Sequence, residues 1–91
     1  MIIEFSPKCK KSLTKIKKNK PLFDKLEKQL LLFQTIPSHP SLRLHKLSGA
    51  QADVWSISID MSYRLLFYYR QVSGEKRIIF FAFGKHEEVY I

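Results

Sequence analysis

Ninety-one residues suffice for one compact domain and not for two, so residues 1–91 are read as a single unit whose working site is a surface groove and not a deep cavity. A content of 45% hydrophobic and 13% aromatic residues excludes a disordered chain, and a single cysteine, Cys9, excludes an internal disulfide. The formal charge of +8 is uneven, with nine basic and three acidic residues in 1–40 against seven and five in 41–91, which suits a polyanion or an acidic protein partner.

Residues 1–5 alternate around Glu4 as a short strand. Ser6-Pro7 then gives a helix start, a hydroxyl cap followed by a proline whose missing N–H costs nothing in the first turn. Cys9, Leu13 and Ile16 fall on one face of that helix, and Lys10, Lys11, Lys15, Lys17 and Lys18 form a solvated stripe elsewhere. Asn19-Lys20-Pro21 ends it and starts a second helix, in which Leu22, Leu26, Leu30 and Phe33 repeat at helical spacing. Pro37 and Pro40 make 35–41 a loop.

Beyond the loop the period is two. Leu42, Leu44 and Lys46 alternate with Arg43, His45 and Leu47, predicting a strand that Ser48-Gly49 closes. In 54–60, Trp55, Ile57 and Ile59 are expected toward the core, and Ser56, Ser58 and Asp60 toward water. Residues 63–70 form an aromatic strand, Ser73-Gly74-Glu75 a hairpin turn, and the nearly continuous apolar run 77–83 a central strand. The expected fold is α+β: an N-terminal strand and a two-helix hairpin packed on one face of a largely antiparallel, curved sheet of four to five strands, with the other face free. No apolar run of about 18 residues and no signal-like N-terminus is apparent, which predicts a soluble cytoplasmic protein with no membrane partner. Glycines 49, 74 and 84 are isolated, so no phosphate-binding loop is expected, and no Cys/His set has zinc spacing.

Three stretches in the second half carry a resemblance: Leu44-His45-Lys46-Leu47-Ser48-Gly49; Trp55-Ser56-Ile57 leading to Ser62-Tyr63-Arg64-Leu65-Leu66-Phe67-Tyr68; and Phe83-Gly84-Lys85-His86-Glu87-Glu88-Val89-Tyr90. In this order, after a helical hairpin and a loop, they resemble the signature of the RelE/ParE superfamily of bacterial toxins over essentially the whole chain. The resemblance implies the toxin of a type II toxin–antitoxin system that cuts mRNA in the ribosomal A site. Its expected partners are the ribosome, mRNA and a cognate acidic antitoxin, with which it forms a hetero-oligomer. Two further functions stay open: a non-nuclease poison of DNA gyrase like the ParE branch, which has no use for paired histidines, and an inactive toxin-fold partner in a repressor complex.

Cleavage of this kind requires no metal or cofactor, because RNA carries its own nucleophile in the 2′-hydroxyl. The protein assists proton transfer and stabilises charge on the phosphate. The resemblance gives Arg64 contact with the phosphate, His86 the role of general acid or phosphate stabiliser, His45 that of general base, and Tyr90 that of stacking on or orienting the RNA. Lys46 and Lys85 adjoin the histidines and could bind flanking phosphates. Each assignment has a structural alternative: a solvated strand arginine, a surface histidine beside Glu87 and Glu88, a strand histidine, a core-edge tyrosine, solvated lysines. Arg43, Arg70 and Arg77 receive no role, and His39 is left out. The chain departs from RelE itself at Ser56 and Ser58, where RelE has two lysines. A nuclease built this way follows the histidine-based arrangement of YafQ-like members, whose aspartate has an uncertain match in Asp60.

Overall fold

The computed structural model describes residues 2–49 and 53–89, with nothing described of the Glu87 and Glu88 side chains. The chain runs β1 (Ile2–Phe5), α1 (Pro7–Lys15), a 3-10 turn (Ile16–Lys18), α2 (Lys20–Thr35), a second 3-10 turn (Pro40–Leu42), β2 (His45–Lys46), β3 (Trp55–Ser58), β4 (Tyr63–Val72), β5 (Glu75–Lys85) and α3 (His86–Val89). The five strands form one sheet in the order β1-β5-β4-β3-β2. All pairs are antiparallel except β1 with β5, which the intervening helical hairpin makes parallel.

The helix starts follow the local chemistry. Ser6 Oγ accepts from Cys9 N–H at 3.1 Å, and Asn19 Oδ1 accepts from Leu22 N–H at 3.3 Å, so each cap satisfies one amide of an exposed first turn. The apolar face of the hairpin, Cys9, Leu22, Leu26 and Phe33, buries against Ile57, Leu65, Phe67, Ile78 and Phe80 of the sheet. Burial pushes the Cys9 thiol up to about 11, which keeps it protonated and inert near neutral pH. Phe33, Phe67 and Phe80 meet at ring separations of 5.2 to 5.7 Å in the middle of this core. Ser73 and Gly74, at φ 51° and 78°, take the left-handed conformation of a two-residue hairpin between β4 and β5.

One irregularity bends the sheet. Leu66 pairs with Ala82 while Phe67 pairs with Phe80, so Phe81 is the extra residue of a β-bulge. The bulge lets Phe80 and Phe83 both face the helix-side core. After β5, α3 packs back onto β4 and β5.

Two expectations are corrected here. The alternation over 42–47 is not one strand: Pro40 sets a 3-10 turn that buries Leu42, Arg43 turns left-handed at φ 47°, and only His45 and Lys46 pair with β3. On the side of β3 expected to be wet, Ser56 and Ser58 are also buried, and their neighbours across the strands are Leu66 and Arg64. Among the described residues, no helix is long and apolar enough to cross a membrane.

Candidate functional site

Residues paired across neighbouring strands project to the same face. His45 pairs with Ser56, Ser58 with Arg64, and Arg64 with Gly84, so all five lie on one face, away from the helices. Two strand spacings and a two-residue rise set the His45 and Arg64 backbones roughly 12 Å apart. The two long side chains therefore flank a floor kept low by Ser58. His86, two residues beyond Gly84, closes the third side. His45, Ser58, Arg64 and His86 line one open groove of about 510 Å³, together with Arg43, Leu47 and Ser48.

The polar groups that surround the groove hold its side chains in defined roles. His45 Nδ1 lies 2.8 Å from the Arg43 carbonyl oxygen, which can only accept, so Nδ1 carries the proton. In the neutral ring, Nε2 then holds the lone pair and is available as a base. Arg64 Nη1 donates to the carbonyls of Asp60 at 2.9 Å and Tyr63 at 3.1 Å, which fixes the guanidinium and leaves its remaining donors for a ligand. Asp60 is a scaffold for that arginine: its Oδ1 accepts from Ser62 N–H at 2.8 Å and Tyr63 N–H at 2.7 Å, an Asx turn that starts β4. Two guanidiniums and two imidazoles line the groove, and no carboxylate does so among the described residues. Nor, among those residues, do three or more His, Cys, Asp and Glu side chains gather as metal ligands.

Sequence reasoning and geometry differ at several positions. His45, Arg64 and His86 are brought together. Lys46 is not: one residue past His45 it pairs with Trp55 on the other face, and lines a separate depression with Asp53, Tyr68 and Lys76. Lys85 pairs with Tyr63 and by the same alternation lies opposite to Arg64 and Gly84, so neither lysine lines the groove. Tyr90 lies outside the described residues, as do the Glu87 and Glu88 side chains expected beside His86. Arg43 had no role in the sequence reading, yet it lines the groove and its carbonyl orients His45. An arginine in the left-handed region carries no sequence signal, since that conformation favours glycine or asparagine.

Gln29 was also missed. It is buried on the inner face of α2, and its Nε2 donates to the Ser41 carbonyl at 3.2 Å and the Ser58 carbonyl at 3.0 Å. One amide thus ties the helix to the turn before Arg43 and to the groove floor. Gln29→Leu keeps the volume and strands both carbonyls, so we expect a loss of about 1–3 kcal/mol in urea unfolding with an unchanged m-value.

No protein-family model matches the sequence, and no curated protein sequence does either. Solved structures do match. A YoeB/ParE toxin from Agrobacterium tumefaciens superposes with a TM-score of 0.76 at 15% identity, over 94% of this chain and 99% of that one. YafQ in the E. coli DinJ-YafQ toxin-antitoxin complex gives 0.76 at 20% identity over 98% and 96%. The YoeB dimer from Staphylococcus aureus gives 0.67 at 20% identity over 94% and 97%. At these identities the likeness is one of fold: this chain has the α+β fold of the YafQ and YoeB toxins.

Proposed function

We propose that this protein is the toxin of a type II toxin–antitoxin pair and that it cuts mRNA on the ribosome without a metal ion. The observation that carries this reading is a single groove lined by His45, Arg64 and His86 on the helix-free sheet face of a fold shared with toxins. His45 Nε2 takes the proton of a ribose 2′-hydroxyl, and the resulting oxyanion attacks the adjacent phosphorus. Arg64 stabilises the charge that builds on the phosphoryl oxygens. His86 returns a proton to the departing 5′-oxygen as the P–O5′ bond breaks, leaving a 2′,3′-cyclic phosphate and a 5′-hydroxyl. Tyr90 stacks on or orients the RNA, and Lys46 and Lys85 are left to phosphates or protein outside the groove.

The partner that holds the toxin inactive is a small acidic antitoxin, matched to a chain of net charge +8 whose first helix carries exposed lysines. The DinJ-YafQ and YoeB-YefM complexes are the corresponding assemblies of the neighbours in fold. Expression in cells followed by mapping of transcript ends tests the reading. Codon-phased cuts within translated mRNA are expected, and growth arrest with intact transcripts would move the assignment to a gyrase poison.

A further inference from the structure

The groove does not end at Arg43. A second depression of about 340 Å³ adjoins it and shares both Arg43 and Ser58 with it, while its far wall is the exposed side of α2, with Lys25 and Lys28. Three cations face this depression. Its one carboxylate, Asp60, is held by the Ser62 and Tyr63 amides that its Oδ1 accepts from. Met61, 80% exposed, stands at the lip and offers a flexible, polarisable apolar surface.

From this continuity we infer that the depression is a second phosphate-binding subsite, in which Lys25, Lys28 and Arg43 hold the backbone of a single-stranded RNA beyond the nucleotides in the groove. The inference rests on the nuclease reading above and extends it. A strand lying over Ser58 between His45 and Arg64 leaves the groove past Arg43, which both hollows share, and consecutive phosphates need cations along that exit and not only at the reacting bond. The left-handed turn at Arg43, fixed by its N–H donating to the Pro40 carbonyl at 3.1 Å, places its side chain where the two hollows meet. An acidic peptide would find the same charges. The shared floor favours the strand already proposed for the groove.

The test uses non-cleavable RNA with a 2′-deoxy sugar at the reacting position, as a trinucleotide and as longer strands extended at the 5′ or the 3′ end. Binding is followed by fluorescence anisotropy across a salt series. Lys25 and Lys28 are exposed on α2, and glutamine keeps the helix propensity, so Lys25→Gln/Lys28→Gln is expected to fold as the parent does. It should leave trinucleotide binding unchanged, weaken binding of one of the extended strands, and lower that strand's salt slope by about 1.4, the loss of two single-strand phosphate contacts. Arg43→Asn, which tolerates the left-handed backbone, should weaken both lengths. Wild-type protein that binds the trinucleotide and both extended strands equally overturns the subsite and leaves the groove standing. Wild-type protein that binds none of them at low salt overturns both. Unchanged RNA binding by the double variant, with weakened binding of an acidic antitoxin peptide, overturns the subsite in favour of a protein contact.

Discussion

Arg64→Ala and His86→Ala should each lower mRNA cleavage on programmed ribosomes by about 10²–10³-fold and abolish growth inhibition, while the fold and antitoxin binding survive. The size of the effect follows from what each group would do, in the proposed mechanism, as the P–O5′ bond breaks. A fixed guanidinium beside the phosphate interacts most strongly when charge has built up there, and a positioned acid lowers the barrier to expelling an alkoxide. Losses made only in the transition state appear in the rate and not in binding. Arg64 also donates to the Asp60 and Tyr63 carbonyls, so alanine removes a structural contact along with the charge. Arg64→Lys separates the two. It keeps a cation and loses the planar fork, and should retain part of the rate if charge alone matters. Urea unfolding and antitoxin co-purification of each variant check that the loss is one of chemistry. Full toxicity of both alanine variants would remove the groove from the mechanism.

The helical hairpin is legible in the sequence because its signals are local and redundant: Ser6-Pro7 and Asn19-Lys20-Pro21 mark the starts, and Leu22, Leu26 and Phe33 repeat at helical spacing. Both long strands are legible for the same reason. The groove itself is less so. Leu42, Leu44 and Lys46 alternate as a strand would, but Pro40 imposes a 3-10 turn and Arg43 reverses the chain, leaving two paired residues. Ser56 and Ser58 look like a wet strand face. The break in strand register comes from one extra residue, Phe81, in a run that is apolar throughout. Gln29 reads as a polar interruption of a leucine repeat, and its two carbonyl partners lie 12 and 29 residues away. His45, Arg64 and His86 were legible as residues through family resemblance alone. Their common face follows from strand register, which no single stretch encodes.

Naked RNA should be a poor substrate. The groove is open, with Ser58 at its floor and Arg43, His45, Arg64 and His86 around it, so little in it forces a flexible strand into the in-line geometry that 2′-hydroxyl attack requires. Orientation of this kind carries about 7–11 kcal/mol of a barrier when it is fully supplied, more than proton transfer and charge stabilisation contribute separately. In the proposed mechanism the ribosomal A site would hold the mRNA in one conformation and provide that orientation from outside, so that His45, Arg64 and His86 would have only to move protons and stabilise charge. Cleavage of one mRNA with and without programmed ribosomes measures the difference directly. We expect strong cutting only with ribosomes, at sites that shift when the A-site codon is shifted. Equal cutting of naked RNA would show that the groove orients its own substrate, and no cutting in either case would assign the fold to a gyrase poison or an inactive partner.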